Sequence, residues 1–279
     1  MSEIRNPKSE IEDIEIRSLL EAVYQRYGYD FRDYAPASLK RRITKCVHDE
    51  HLQTISGLQE RVLHDPAGMA RFLNTLTIDV TAMFRDPGFY LAFRSRVGPL
   101  LRTYPFFRIW HAGCASGAEV YSMAILLQEE GLYDKARIYA TDINEALLKE
   151  AKGGIFPLNA MKGYTENYLQ AGGQRSFSEY YTAKYDNAIF RPALQKNVVW
   201  AQHNLVTDAS FNEFQVIVCR NVMIYFNKSL QERVHRLIYD SLATGGVLGL
   251  GSKESIKFTP HEGDYEVVDG REKLFRKAR

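Results

Sequence analysis

The sequence predicts an α/β protein: an all-helical N-terminal domain, followed by a Rossmann-like, doubly wound sheet that ends in an antiparallel hairpin. Before about residue 107, apolar residues recur only at helical spacing. From there on, short apolar strands alternate with helical segments, which is typical of a parallel sheet covered on both faces. The last segment, 265–277, has two strand-like halves around Asp269-Gly270, a strong hairpin signal. We therefore place the domains at 1–85 and 86–279.

The helical domain is predicted from apolar residues three and four positions apart. Asp65-Pro66 and Asp86-Pro87 interrupt this pattern, because the residue before a proline is disfavoured in a helix. The residues that share the helical spacing are Ile11, Ile14, Leu19, Leu20 and Val23 in one segment and Leu39, Ile43 and Val47 in another. We expect helices and no strand in this region.

The sheet domain is predicted from five apolar runs that alternate with helical segments. Asn144 stands at the start of one such segment, where its side chain can cap the first turn, and glycines follow the end of that segment. The predicted strands are 107–113, 136–143, 197–205, 215–222 and 245–252, and the predicted helices are 119–131, 144–154 and 228–243.

Residues 156–195 interrupt the alternation of strands and helices. Several glycines and five tyrosines stand where a simple crossover helix is expected. Because aromatic residues favour strands, we predict a small inserted antiparallel β-subdomain here. The tyrosines are Tyr164, Tyr168, Tyr180, Tyr181 and Tyr185.

Composition and charge exclude several classes of protein. The 279 residues carry a formal net charge of +2 and are 45% hydrophobic, so neither wholesale disorder nor a general affinity for nucleic acid is expected. Cys46, Cys114 and Cys219 are too few and too far apart for a disulfide framework or a zinc ribbon, and we predict no metal site. The charged N-terminus and the lack of a run of about 18 apolar residues argue against a signal peptide and a membrane span. We expect a soluble, cytoplasmic protein.

A glycine-containing loop, Gly113–Glu119, follows the first predicted strand and opens a helix. Glycine lets a ligand approach the backbone, and a helix start supplies unpaired N–H donors. Asp142 ends the next strand, where a carboxylate can accept hydrogen bonds from two ribose hydroxyls. These features predict a nucleoside cofactor at the carboxyl ends of the strands. A tight turn with a solvated aspartate is the alternative that the residues leave open.

The spacing and charge of this loop discriminate between cofactors. A dinucleotide site prefers Gly-x-Gly-x-x-Gly around a pyrophosphate, whereas the spacing here is Gly-x-x-x-Gly. Glu119 at the helix start would repel a pyrophosphate but attract the ammonium or sulfonium group of S-adenosylmethionine. The C-terminal hairpin also suits the S-adenosylmethionine-dependent methyltransferases. An NAD-linked oxidoreductase is therefore disfavoured.

The segment Cys219–Phe226 follows a later predicted strand. Enzymes that methylate exocyclic amines of bases usually have (Asp/Asn)-Pro-Pro-(Tyr/Phe) at this place, but this segment contains no proline. A nucleic-acid methyltransferase therefore loses support. Cys219 can be interpreted as a nucleophile toward a pyrimidine ring or, alternatively, as buried packing.

Four segments together resemble the chemotaxis receptor methyltransferases, the CheR family. They are TIDVTAMFRDPGFY (77–90), WHAGCASGAEVYSMAI, YATDINEALLKEAKGGIF and FQVIVCRNVMIYFNKSLQERV. The resemblance covers roughly residues 20–279. It implies a helical N-terminal domain, a methyltransferase domain and an inserted β-subdomain, in agreement with the elements predicted above.

The resemblance also implies which residues bind the cofactor. Asp79 stands where the family usually has Asn, and its effect is left open. Arg85 can belong to the binding segment, pair with the methionine carboxylate or simply end a helix. With Gly113, which comes from the loop argument, the predicted cofactor-binding residues are Asp79, Thr81, Arg85, Gly113, Glu119, Asp142, Asn204, Leu205, Arg220 and Asn221.

The implied reaction is methyl transfer from S-adenosyl-L-methionine, leaving S-adenosyl-L-homocysteine, to glutamate side chains of methyl-accepting chemoreceptors. A glutamate with a pKa of about 4.3 is ionised at neutral pH, so the reaction needs no general base. Tyr225 is expected to orient this carboxylate, with a packed core tyrosine as the alternative. The rival hypothesis is a catalytically silent signalling adaptor that binds the cofactor, and its support is the altered glycine loop and Asp79.

The predicted partner is the cytoplasmic helical region of a chemoreceptor. A basic run on a predicted helix is expected to contact glutamate-rich receptor helices, with a solvated face as the alternative. Its residues are Lys40, Arg41, Arg42 and Lys45, of which Arg41 and Lys45 lie four apart on one face. The tyrosine-rich insertion is a candidate site for a C-terminal receptor peptide that adds a strand to its sheet. No nucleic-acid partner and no membrane insertion are predicted.

Overall fold

The computed structural model describes residues 7–77 and 81–278, so Asp79 of the predicted site lies outside the described residues. These ranges contain ten α-helices and ten β-strands, and none of the helices is long and apolar enough to span a bilayer. The helices are α1 (Pro7–Tyr27), α2 (Pro36–Asp49), α3 (Ile55–His64), α4 (Pro66–Leu76), α5 (Pro87–Ala92), α6 (Gly98–Arg102), α7 (Ala118–Glu129), α8 (Glu145–Gly153), α9 (Met161–Gln170) and α10 (Lys228–Ser241). The strands are β1 (Phe107–Ala112), β2 (Ala136–Asp142), β3 (Ile155–Pro157), β4 (Tyr181–Lys184), β5 (Asn187–Phe190), β6 (Val198–Gln202), β7 (Phe214–Cys219), β8 (Leu242–Leu250), β9 (Tyr265–Asp269) and β10 (Leu274–Lys277).

Seven of the strands form one sheet in the order β6-β2-β1-β7-β8-β10-β9. The first five of these are parallel to their neighbours. β10 is antiparallel to both β8 and β9, with Leu274 opposite Gly249 and Lys277 opposite Tyr265. The predicted α/β fold, with a doubly wound sheet and an antiparallel C-terminal hairpin, is confirmed.

The unit from β1 to α8 forms where the sequence predicts it. Ile109 and Trp110 of β1 are fully buried, as expected for a strand covered on both faces. The side chain of Asn144 accepts hydrogen bonds from the amides of Ala146 (3.0 Å) and Leu147 (3.4 Å), which caps α8. Gly154 follows the end of α8 with a φ of +63°, a conformation that favours glycine.

The inserted region contains the predicted small antiparallel sheet, with strand order β3-β5-β4. It also contains helix α9, which was not predicted. Tyr168 lies on the buried face of α9 together with Met161, so this tyrosine packs from a helix and not from a strand. Tyr168 and Tyr180 are buried and in contact, whereas Tyr185 is exposed, so only some of these tyrosines belong to the aromatic core of the insertion.

Glu129, the last residue of α7, connects the insertion to the main sheet domain. Its side chain is only 1% exposed and is ion-paired with Arg94. It also accepts hydrogen bonds from the hydroxyls of Tyr168 and Tyr180 and from the amide of Gln174. Burial alone would raise the pKa of this carboxyl, but the four donors outweigh burial and hold the pKa below its ordinary value.

The N-terminal helices form a compact unit that also includes Tyr225–Gln231. The amide of Asn227 donates to the carbonyl of Asp33 (2.9 Å), and the amide of Ala35 donates to the carbonyl of Tyr225 (2.8 Å). Residues 81–85 belong to the second unit, which carries the sheet. The structure therefore places the domain boundary earlier than the predicted one after residue 85.

Candidate cofactor-binding site

Most of the predicted cofactor residues lie at one edge of the seven-stranded sheet. Because β6, β2, β1 and β7 are parallel neighbours, their carboxyl ends meet at this edge, which we call the site edge. The predicted residues follow the strands in turn: Asn204 and Leu205 after β6, Asp142 at the end of β2, Gly113 and Glu119 after β1, and Arg220 and Asn221 after β7.

Asp142 joins the ends of β1 and β2. Its Oδ2 accepts a hydrogen bond from the amide of Ala115 (2.9 Å), and its Oδ1 accepts one from the amide of Asn144 (3.0 Å). Burial raises the pKa of this carboxyl, and the amide hydrogen bonds oppose that rise. Each carboxylate oxygen has two lone pairs, so both retain acceptor capacity for the hydroxyls of a ligand.

The two glycines of the loop are explained by the fold itself. Gly113 and Gly117 have φ values of +76° and +81°, which L side chains rarely adopt. A Cβ on Gly113 would lie 2.6 Å from the side chain of Val222, and one on Gly117 would lie 3.0 Å from that of Trp200. Their close packing therefore shapes the loop without requiring a ligand.

Glu119, in the first turn of α7, lies between two donors. His111 Nδ1 is 3.1 Å from its Oε1, and Arg220 Nη1 donates to its Oε2 over 2.9 Å. Burial would raise the pKa of Glu119, but the hydrogen bond from His111 and the charge of Arg220 outweigh burial and lower the pKa below its ordinary value. Glu119 is therefore an ionised, partly exposed carboxylate at the site edge.

Arg220 organises this part of the site from a buried position. Its Nη2 donates to Asp86 Oδ2 (2.7 Å), and both terminal nitrogens donate to the carbonyl of Arg85 (3.2 Å each). The guanidinium carbon lies 4.2 Å from the centre of the Phe89 ring. A planar guanidinium suits this set of partners, because its fork can serve two carboxylates and a carbonyl at once.

The network at the site edge leaves two buried nitrogens without a partner. Within residues 7–77 and 81–278, neither His111 Nε2 nor Arg220 Nε has a hydrogen-bond partner. Such groups are rare in protein interiors and call for an explanation. Backbone strain is concentrated in the same place, since Ala115, Asp86 and Asn221 all have positive φ values. Unsatisfied groups and strained backbone together are typical of ligand sites.

Glu254 shapes the turn that follows β7. Its buried carboxylate accepts hydrogen bonds from the amides of Asn221, Val222 and Met223 and from the amide of Gly251, over 2.7–2.9 Å. Burial raises the pKa of Glu254, while these four amides oppose that rise. The carboxylate thereby fixes the backbone that presents Arg220 and Asn221.

The remaining cofactor residues are positioned by the backbone around them. The amide of Asn204 donates to Asp208 Oδ2 (2.8 Å), and Asn204 Oδ1 accepts from the amide of Val206 (3.0 Å). Leu205 is buried in the same loop. Thr81 and Arg85 are half-buried in the segment that leads into α5.

Cys219, the last residue of β7, is fully buried, and burial raises the pKa of its thiol well above the ordinary value. A nucleophile requires an accessible thiolate. The structure therefore favours buried packing over the nucleophile interpretation.

Tyr225 and Arg42 contact each other within the N-terminal unit. The guanidinium carbon of Arg42 lies 4.5 Å from the centre of the Tyr225 ring, and Arg42 also donates to the carbonyl of Leu76. Only 7% of Arg42 is exposed. Arg42 therefore does not belong to the exposed basic surface in which the sequence analysis placed it.

The other three residues of the basic run are accessible to different degrees. Arg41 is exposed, Lys45 is exposed and pairs with Asp49, and Lys40 is half-buried and pairs with Glu12 at 2.8 Å. The basic surface of α2 is thus reduced to Arg41 and Lys45, with Lys40 at its side.

Sequence reasoning missed three residues of the site. Asp86 was interpreted only as the residue before a proline, and its carboxylate binds Arg220. His111 is the penultimate residue of β1, and its position eight residues before Glu119 has no obvious meaning until β1 and α7 are packed together. Glu254 bonds only to backbone amides, so the pattern of side chains in the sequence gives no sign of its role.

These residues fit a cofactor with a ribose and a cationic centre, as predicted for S-adenosylmethionine. Asp142 can accept from hydroxyls, and the ionised Glu119 favours a positive charge. A pyrophosphate would instead meet carboxylates at Glu119, Asp142 and Asp86. The donor set of the site edge therefore fits the predicted cofactor and not a dinucleotide.

Comparison with known proteins gives two family matches. The CheR methyltransferase SAM-binding domain matches residues 79–274, and the CheR methyltransferase all-alpha domain matches residues 14–77.

Individual relatives agree with these matches. A Pseudomonas putida protein named Cher3 is 53% identical, over 95% of this chain and 97% of its own length. The chemotaxis protein methyltransferase of Salmonella typhimurium is 30% identical, over 88% of this chain and 85% of its own. The chemotaxis protein methyltransferase of Listeria innocua is 30% identical, over 82% and 85% of the two chains.

Proposed function

This chain belongs to the CheR methyltransferase family, and from that premise we propose that it methylates glutamate side chains of chemoreceptors. Membership of the family makes S-adenosylmethionine the cofactor and methylation in chemotaxis the activity. Glutamate as the acceptor and the helical cytoplasmic region of a receptor as the partner are the proposed refinements.

The observation that carries the proposal is the ionised Glu119 held between His111 and Arg220 at the site edge. We assign Glu119 to the cationic part of the cofactor and Asp142 to its ribose hydroxyls. Arg220 keeps the Glu119 carboxylate in place, because it is itself fixed by Asp86 and by the carbonyl of Arg85. Asn204, Leu205 and Asn221 complete the site, with Thr81 and Arg85 in the segment before α5.

The reaction requires little acid–base catalysis by the protein. S-adenosylmethionine supplies a methyl group on a sulfonium: a glutamate oxygen bonds to the methyl carbon as the carbon–sulfur bond breaks, which leaves neutral S-adenosylhomocysteine and a methyl ester. Glutamate is already ionised at neutral pH, since its ordinary pKa is about 4.3. Positioning the two reactants is therefore the main task, and such positioning can contribute about 7–11 kcal/mol.

Substrate recognition is assigned to two surfaces, the exposed face of α2 and the edges of the β3-β5-β4 sheet, and orientation of the acceptor is assigned to Tyr225. Arg41 and Lys45, on the exposed face of α2, are proposed to attract the acidic helices of the receptor. Arg42 is proposed to act differently: its guanidinium holds the Tyr225 ring, which is proposed to orient the acceptor carboxylate. The β3-β5-β4 sheet has two edges, β3 and β4, to which a C-terminal receptor peptide can add a strand.

The test is transfer of labelled methyl from S-adenosylmethionine to a panel of chemoreceptor cytoplasmic fragments. We expect label that mild alkali releases as methanol, because a carboxyl ester hydrolyses there and a methylated amine does not. The matched control is Glu119→Gln, which should bind S-adenosylmethionine more weakly and transfer less label. Alkali-resistant label would contradict the glutamate assignment. Bound cofactor without any label would favour the rival hypothesis of a catalytically silent adaptor.

A further inference from the structure

The loop that follows β8, Gly251–Asp264, lies at the site edge, and apart from Glu254 its residues have no role in the function described so far. β8 is the parallel neighbour of β7, so this loop begins beside the turn that carries Arg220 and Asn221. We refer to it as the β8 loop. It is anchored by Ile256, which is buried.

The side chain of Phe258, in the β8 loop, is exposed to solvent, and its backbone adopts an unfavourable conformation. Its side chain is 84% exposed, and its φ of +63° is a genuine outlier for a bulky residue. Its amide donates to Glu262 Oε2 (2.8 Å), and the turn around it is closed by the Thr259 hydroxyl donating to the carbonyl of Ile256 (2.6 Å). A built turn therefore presents this aromatic ring to solvent, and strain of this kind is typical of functional positions.

The exposed charges around Phe258 are mainly positive: Lys253 and Lys257 outnumber Glu262, the exposed acid whose carboxylate accepts the Phe258 amide. Lys253 and Lys257 are both exposed, and neither has a carboxylate within ion-pairing distance in the described part of the chain. The only acid between them, Glu254, is buried and turned toward backbone amides. From Lys253 to Phe258 the loop thus exposes two cations beside an aromatic ring.

Glu254 connects this surface rigidly to the cofactor residues. One carboxylate binds the amide of Gly251 in the β8 loop and the amides of Asn221, Val222 and Met223 in the turn after β7. The base of the β8 loop is thereby tied to the backbone at Asn221.

We propose that Lys253, Lys257 and Phe258 form a contact surface for the acidic, amphipathic helix that carries the target glutamate. This inference rests on the proposed function. Phe258 would bury its ring against the apolar stripe of that helix, and the lysines would pair with the carboxylates that flank the stripe. The charge complementarity singles out a glutamate-rich helix over a basic or neutral partner.

The test uses the full-length protein and a chemoreceptor fragment, with both binding and methyl transfer measured. Phe258→Ser and the double variant K253E/K257E should each raise KM and Kd for the fragment at least tenfold. The affinity for S-adenosylhomocysteine should change less than twofold. The matched controls, Phe106→Ser and Lys135→Glu, change an exposed phenylalanine and an exposed lysine at the amino ends of β1 and β2, on the opposite edge of the sheet, and should leave both constants unchanged.

Binding and transfer separate this inference from the proposed function. Methyl transfer by all variants with an unchanged KM would overturn the β8-loop surface and leave the proposed function standing. Fragment binding weakened only by the β8-loop variants, without methyl transfer by the wild type, would support the surface and overturn the function. A wild type that binds no fragment would overturn the surface as well.

Discussion

Two carboxylates at opposite ends of α7 differ in how completely the polar groups around them are hydrogen-bonded. Glu129, at the C-terminal end, has four donors, and its side chain is almost completely covered. Glu119, in the first turn, has two donors and an 18% exposed side chain. Its partners His111 and Arg220 each keep a buried nitrogen without a hydrogen bond among the described residues.

This difference indicates that Glu129, at the C-terminal end of α7, stabilises the fold, whereas Glu119, in the first turn, is available to a ligand. A fully bonded buried network stabilises the native state only while all its members are present. A network with unsatisfied groups costs stability in the absence of a ligand, and proteins tolerate that cost chiefly at functional sites. Substitution at the two ends should therefore separate stability from cofactor affinity.

The largest effect is expected from Glu129→Ala. Removing this carboxylate leaves Arg94, which is 9% exposed, with a smaller share of its counter-charge and deprives two tyrosine hydroxyls of their acceptor. Loss of one partner of a buried ion pair typically costs about 3–5 kcal/mol. Urea unfolding monitored by circular dichroism measures this change. Glu130→Ala is the neighbouring control and should cost less, because Glu130 pairs partly with the exposed Arg102. Equal losses at positions 129 and 130 would contradict the comparison.

A smaller effect, of a different kind, is expected from Glu119→Gln. The amide still accepts a hydrogen bond but lacks the negative charge that we assign to the cofactor's cationic part. A charge-assisted hydrogen bond is worth about 1.5–3 kcal/mol, so affinity for S-adenosylmethionine should fall about 10–100-fold. Isothermal titration calorimetry measures it. Unfolding free energy should fall less than it does for Glu129→Ala, because the amide still accepts a hydrogen bond and Arg220 keeps Asp86 as a counter-charge. A loss as large as that of Glu129→Ala would contradict the comparison.

The smallest effect is expected in the acid dependence of stability. The pKa values of Glu119 and Glu129 are both below the ordinary value, so each carboxylate stabilises the fold above pH about 4.3 and loses this contribution as pH falls through its folded-state pKa. Asp142 and Glu254, whose pKa values are raised, act in the opposite direction. Glu129→Gln should flatten the fall in unfolding free energy below pH about 4.3 more than Glu119→Gln does, because Glu129 has more donors. Urea titrations at several pH values test this, and the reverse order would contradict it.

The sequence was sufficient for the elements that local patterns determine. Apolar runs and caps such as Asn144 predicted the strands of the seven-stranded sheet and the helices α7, α8 and α10, since burial and capping follow from nearby residues. Arg42 shows where such a pattern was overlooked. It lies three residues after Leu39 and next to Ile43, on the buried stripe of α2, so its burial follows from the same helical spacing that predicted the helix.

Other features depend on contacts that no local pattern records. Glu254 binds amides of a turn about thirty residues earlier, and Arg220 meets Glu119 only after β7 has paired with β1. The assignment of Glu119, Asp142 and Arg220 to one site came from the resemblance to a family and from strand order. The roles of His111 and Asp86 required the packed structure.

The packing of Tyr225–Gln231 against the N-terminal helices affects the order in which the chain folds during translation. The side chain of Asn227 bonds to that of Asp33, 194 residues earlier, and the backbones of the two segments are paired as well. The ribosome releases α1–α4 long before this segment emerges, and contacts of such sequence separation form late. The first helices of the chain therefore gain their last native partners only after most of the sheet has been translated, so the N-terminal unit is among the last to be completed.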